Sequence, residues 1–127
     1  MFSHVMVGSS DIARSKSFYD ALFEAIGASA GREDGKGVNY LHNGALFMVR
    51  PPLNGEDATH GNGATIGFNI DSREKVDAWH KSGCANGGKS CEDPPGIRPG
   101  TFGPLYLAYL RDPDGNKLCA LHRMPVT

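Results

Sequence analysis

The chain has little of what would mark a secreted, membrane-spanning or nucleic-acid-binding protein. It holds three cysteines, Cys84, Cys91 and Cys119, an odd number with no CxxC pair. That speaks against a disulfide framework and reads as free thiols in a reducing compartment. No apolar run approaches the ~20 residues that cross a bilayer, Gly44 to Val49 being the longest near the middle. The N-terminus has no basic segment leading into a hydrophobic core, because His4, Ser9, Ser10 and Asp11 interrupt it. No secretory leader is expected there, and the cytoplasm is the default location. Charge of either sign is not in excess, with thirteen basic residues against fourteen acidic ones and a net charge of −1. Neither a nucleic acid nor a membrane surface is therefore expected as a partner. Arg98, Arg111, Lys117 and Arg123 are too dispersed along the chain to establish a basic patch.

What is present suits one globular domain. The chain has 127 residues, 39% of them hydrophobic and 21% charged, enough for one real core and too few for two. Phe2 to Val7 alternates as a strand does, with Phe2, His4 and Met6 opposite Ser3, Val5 and Val7. Ser9, Ser10 and Asp11 are candidate helix caps. Ile12, Phe18, Tyr19, Leu22, Phe23 and Ile26 follow at helical spacing, and Gly27 offers a stop. A polar stretch from Gly31 to Lys36 leads to a strand over Val38 to Leu41. The Asn43-Gly44 turn then sends back a strand over Ala45 to Val49, closed by Pro51-Pro52.

The pattern then restarts. Residues 53–61 read as a linker between modules of approximately 1–52 and 62–124, with polar, aperiodic sequence continuing to 63. Thr65 to Ile70 alternates, Asp71 or Ser72 can cap a second helix carrying Val76 and Trp79, and that helix ends near Gly83. A strand near Lys89 to Glu92, a Pro/Gly-rich loop from Asp93 to Pro104, and a hairpin of Leu105 to Leu110 with Lys117 to Leu121 complete the repeat. The reading is α+β, with two βαβββ modules forming a curved sheet around a cleft. Val5, Val7, Ile66, Phe68 and Ile70 suit the faces covered by helices. His4 and Thr65 fall on the opposite faces, which would line a shared concavity of the kind that holds small molecules.

Three stretches carry a resemblance to the glyoxalase/bleomycin resistance protein/dioxygenase superfamily, also called the vicinal oxygen chelate superfamily. They are His4-Val-Met-Val with Asp11-Ile and Ser17-Phe-Tyr19; Gly67-Phe-Asn-Ile with Ser72-Arg-Glu-Lys-Val and His80; and Arg111-Asp-Pro-Asp-Gly-Asn116 before a strand. The resemblance implies a ligand cleft and, in metal-dependent relatives, a divalent ion held by a His on the first strand of each half and acidic residues on the last strands. His4 matches the first of these. Thr65 stands in the second His position, Ala45 to Val49 offers no strong ligand, and Cys119 stands where the C-terminal Glu is expected. No cofactor is therefore expected in the family manner, although an atypical divalent site drawn from His4, His60 and Cys119 is chemically conceivable.

Each candidate has a plainer reading beside it. His4 is a ligand-contacting residue or a histidine satisfied by one hydrogen bond. Thr65 can donate a hydrogen bond, and Cys119 can be a small buried hydrophobe. Tyr106 and Tyr109 lie on opposite strand faces, so one at most faces the cleft; Ala108 leaves volume beside Tyr106. Arg98 sits on a possible rim loop where it could meet an anionic group, and His60 lies in the linker. His122 has the opposite parity to Cys119, and His80 and Lys81 read as solvated. The functional expectation is a homodimeric binder of a small molecule in the cleft, without the family's metal. The alternative is a metal-dependent lyase, isomerase or dioxygenase with an atypical ligand set.

Overall fold

The computed structural model describes residues 1–125 and shows the repeat as two βαβββ modules. The first comprises β1 (His4–Gly8), α1 (Ile12–Glu24), β2 (Arg32–Asp34), β3 (Gly37–His42) and β4 (Ala45–Arg50). Its sheet runs β1-β4-β3-β2, with β1 parallel to β4 and the rest antiparallel. The second comprises β5 (Ile66–Asn69), α2 (Arg73–Ala85), β6 (Lys89–Ser90), β7 (Gly96–Arg98), β8 (Leu105–Arg111) and β9 (Lys117–Arg123). Its order is β5-β9-β8-β6, with β7 also on β8. The outer strand of this module is thus broken in two.

Local chemistry explains these elements. Asp11 caps α1 by accepting from the Arg14 amide at 3.0 Å, and Ser72 caps α2 by accepting from the Lys75 amide at 3.1 Å. Helix α1 ends where Gly27 takes a φ of 82° and the Ala28 amide returns to the Phe23 carbonyl. The hairpin between β3 and β4 turns on Asn43 and Gly44 at φ of 51° and 79°. Two short strands differ from the sequence reading. β2 forms within the polar stretch, where no apolar alternation announces it, and β7 forms within the Pro/Gly-rich segment because the edge of β8 beyond β6 offers unpaired backbone groups. The strand expected over Lys89 to Glu92 is only Lys89–Ser90; Glu92 has a φ of 57°, which extended backbone does not allow.

One core serves both modules. Phe18, Tyr19, Leu22 and Phe23 of α1 are buried together with Val76 and Trp79 of α2 and the inner residues of both sheets. The helices pack directly against each other, fastened where the Ser82 hydroxyl donates to the Ala21 carbonyl at 3.0 Å. Gly83 permits the approach: a Cβ there would fall 2.3 Å from Leu110 Cδ1 and 3.0 Å from Leu22 Cδ1. Among the described residues no strand of one sheet approaches a strand of the other; the modules meet through helices, turns and side chains.

The turn between β8 and β9 makes a second fastening. Asp112 is buried and accepts from the Tyr19 hydroxyl at 2.5 Å, the Asn116 side-chain amide at 2.8 Å, and the backbone amides of Asp114 and Asn116. Asp114 in turn accepts from the Ser10 amide, Arg14 and Ser15, and Asn116 donates to the Gly8 carbonyl. The Asp-Pro-Asp-Gly-Asn run is therefore a clasp between modules as well as a tight turn. Burial and the adjacent Asp112 carboxylate raise the Tyr19 pKa well above its ordinary value, so its proton stays in the clasp.

Candidate functional site

A cavity of about 430 Å3 opens between the modules at the end of the molecule opposite that clasp. Its inner wall is aromatic. Phe23 of α1, Tyr40 of β3, Phe47 of β4 and Phe68 of β5 form one ring cluster, with Phe23–Phe68 and Phe47–Phe68 centroids 5.3 and 5.5 Å apart. The outer wall mixes His4, His42, Asn43 and Asn69, and exposed Phe2 and Leu41 stand at the mouth. The Tyr40 hydroxyl donates to Asp20 at 2.7 Å, which commits its polar end outside the cavity and leaves the ring as lining. Burial and that hydrogen bond push the Tyr40 pKa far up.

The structure brings together only some of the expected residues. His4 lines the cavity, exposed, with its Nδ1 2.8 Å from the Ser3 hydroxyl. Thr65 lies outside β5, exposed, and does not line the cavity. Gly67 and Asn69, on the same face of that strand, line it instead. Val5, Ile66 and Phe68, expected only under helices, also contribute, because the gap between β1 and β5 exposes the inner layer. The cavity is therefore lined by outer-face residues of both modules, His4, Leu46, Gly67 and Asn69 among them, together with part of the inner layer.

Three placements correct the sequence reading. Tyr106 faces α2: its hydroxyl donates to Asp77 at 2.7 Å and Arg73 sits 4.7 Å over its ring, so Ala108 opens no ligand space beside it. His60 packs on the β8–β9 turn, its Nδ1 3.0 Å from where a Cβ of Gly115 would be. That turn adjoins Gly8, and His4 is at the other end of β1, ~13 Å of extended chain away. His60 therefore does not join His4. His80 is half-buried, with Nε2 2.9 Å from the Ser90 hydroxyl, and burial lowers its pKa.

Cys119 and Tyr109 pair across β9 and β8 on the outer face of the second sheet, in register with Gly67 of β5. Burial raises the Cys119 pKa and Glu92 adds to it, outweighing Tyr109, Lys117 and Arg98, so the group stays a thiol at neutral pH. Burial also raises the Tyr109 pKa. Lys117 pairs with Glu92 and lies 5.1 Å over the Tyr109 ring, and Arg98 donates to the Pro94 carbonyl at 2.8 Å. Strand register places Arg98, Arg111, Lys117 and Arg123 on this one face. Arg98 and Arg123 flank Leu105 at one end of β8, while Arg111 pairs with Lys117 at the other end, ~20 Å of extended chain away, so the four form two separate pairs and no single basic patch. His122, on the other face, has Nδ1 2.9 Å from the Ile70 carbonyl.

The residues that the metal-dependent pattern requires do not fit a divalent ion. Opposite His4 on β4 stands Leu46, followed by Phe47 and Met48. Thr65 is outside the strand, and Cys119 is buried and lies beyond the cavity lining. Among the described residues no three His, Cys, Asp or Glu side chains are grouped to hold a metal.

Two βαβββ modules with a cavity between them define a class of fold, and the comparisons identify the family. The sequence pattern of the Glyoxalase/Bleomycin resistance protein/Dioxygenase superfamily matches residues 1–120. A glyoxalase/bleomycin resistance protein from Albidiferax ferrireducens T118 is 55% identical over 97% of this chain and 99% of its own, with a TM-score of 0.94. The chain belongs to this superfamily. More distant structures share the fold alone. A glyoxalase/bleomycin resistance protein/dioxygenase family enzyme from Burkholderia phytofirmans PsJN is 19% identical over 96% of this chain and 98% of its own, with a TM-score of 0.73. Lactoylglutathione lyase from Agrobacterium tumefaciens is 18% identical over 96% and 92%, with a TM-score of 0.66. No curated protein matches the chain.

Among the residues that sequence reasoning passed over as functional, Phe47, Phe68, Gly67, Asn69 and His42 line the cavity. Alternation placed Gly67 and Asn69 opposite the core face, which was the available signal. Nothing in the sequence marked Phe47 and Phe68 as reachable from outside.

Proposed function

We propose that this protein binds a small organic molecule in the cavity between its modules and does so without the family's divalent metal. The observation that carries this reading is the cavity itself, lined by both modules and within the ~300–1,000 Å3 range of small-molecule pockets, at about 430 Å3. The donor set supports the second clause. Of the four positions that the metal-dependent pattern uses, only His4 keeps a ligand of the usual type. The competing reading, an atypical metal centre of His4, His60 and Cys119 in a lyase, isomerase or dioxygenase, is disfavoured by the separation of His60 from His4 along β1. Elemental analysis after dialysis tests the two readings. Well below one metal per chain is expected. Near one equivalent of nickel, iron, manganese or zinc that disappears in His4→Ala would overturn the metal-free reading, and further loss in Cys119→Ser would establish the atypical centre.

A homodimer is part of the same proposal. The outer face of the first sheet presents Met6, 59% exposed, beside Met48 and outside the cavity lining, an apolar surface suited to burial against a second copy. Sedimentation showing only monomer at micromolar concentration would reject association.

A further inference from the structure

We infer that the molecule held in this cavity is uncharged and has an aromatic body, with its polar group at the mouth. The inference rests on the cavity being the binding site and adds the chemical class of what enters it. Among the described residues no Asp, Glu, Lys or Arg lines the cavity, and His4 and His42 are its only imidazoles. The charged groups around it are paired with others: Asp20 with Lys16, Tyr40 and the Gly31 amide, Arg50 with Asp34, and Asp71, which adjoins His42, Asn43 and Asn69 at the rim, with Lys75. A charged ligand group driven inward would lose its water and meet no opposite charge, a cost that an apolar wall cannot offset.

The walls favour a flat, polarisable body. Phe23 meets Tyr40 and Phe68 edge to face at centroid distances of 4.9 and 5.3 Å, and Phe47 meets Phe68 at 5.5 Å. An inserted ring extends the same arrangement of edges against faces. Polar groups stand at the outer wall. The Asn69 side-chain amide has no hydrogen-bond partner among the described residues, while His4 keeps Nε2 and His42 keeps Nδ1 without one. They can satisfy one neutral hydrogen-bonding group on the ligand. Arg98, Arg111, Lys117 and Arg123, on the outer face of the second sheet, are absent from the cavity lining.

Gly67 supplies the decisive variant. It lines the cavity with ordinary backbone dihedrals, and a Cβ added there meets no atom within 4 Å. Gly67→Leu therefore starts into open space and adds side-chain volume at the lining. Ala45→Trp, at an exposed lining position on β4, fills it from the other wall if the first variant folds poorly. The probes are N-phenyl-1-naphthylamine, which is neutral, and 1-anilinonaphthalene-8-sulfonate, the same skeleton with an added anion. Both fluoresce on leaving water and are titrated into the purified full chain, with thermal unfolding followed in parallel. The expected result is one neutral probe bound per chain, at least ten-fold tighter than the sulfonate, and at least ten-fold weaker in the filling variant with an unchanged Tm. If both probes bind equally and the variant loses both, the cavity remains the site and the assignment of an uncharged ligand falls. If the wild type binds neither, or the variants keep the neutral probe undiminished, the cavity reading falls as well.

Discussion

The two modules carry equivalent hairpin turns and use them differently. The turn between β8 and β9 is held to the first module by Asp112, Asp114 and Asn116, which reach Tyr19, Ser10, Arg14, Ser15 and Gly8. The turn between β3 and β4 approaches the second module at Asn69, Ile70 and Asp71 and, among the described residues, makes no side-chain hydrogen bond to it; the His42 and Asn43 side chains bond to each other. One junction is fastened and the other is left apart, and the cavity lies at the one left apart. An internal repeat that is symmetric in fold is thus asymmetric in chemistry, with rigidity at one end giving the other a fixed opening.

Breaking the fastened end should have the largest effect. Asp112→Ala leaves the Tyr19 hydroxyl, the Asn116 amide and two backbone amides short of an acceptor in a buried place. A loss of about 3 kcal/mol is expected, measured as a lowered urea midpoint at unchanged slope. A loss below ~0.5 kcal/mol would show that the clasp does not join the modules.

An intermediate effect lies in acid, on the side of the open junction. Burial tends to raise the Asp20 pKa, but hydrogen bonds from Lys16, the Gly31 amide and Tyr40 prevail and lower it. The unfolded chain therefore takes up this proton before the folded one does. The contribution is complete above the ordinary carboxylate value of ~3.9 and is lost as pH falls through the lower folded value. Asp20→Asn should unfold with a shallower dependence on pH below that point. Identical dependence in the two proteins would remove Asp20 from the account.

The smallest stability effect belongs to the open turn. His42→Ala is expected to change stability by no more than ~0.5 kcal/mol, because its side chain bonds only to the adjacent Asn43. It should nevertheless weaken binding of the neutral naphthylamine several-fold. A large stability loss would mean that this junction is fastened too.

Much of the fold was legible because periodicity and caps are local. The alternation over Thr65 to Ile70, the helical spacing from Phe18 to Ile26, and the Asn43-Gly44 turn each state their own geometry. The short strands β2 and β7 were not legible, since both exist by pairing with an edge supplied from elsewhere in the chain. The site was legible only in part. Parity placed His4 and separated Tyr109 from Tyr106, but it could not say which tyrosine had a helix over it. Asp77 and Arg73 decide that, from a different element. The pairing of Arg111 with Lys117 depends on register, and the reach of the cavity to Phe47 and Phe68 depends on the gap between β1 and β5. Neither is a property of any one segment.

The most direct test of a ligand site at the open junction is backbone amide NMR during titration with N-phenyl-1-naphthylamine. The expected result is a saturable set of shifts concentrated at residues 41–47 and 66–69, with residues 112–116 of the fastened turn unmoved. Shifts concentrated instead on the outer face of β8 and β9, around Tyr109 and Cys119, would contradict it.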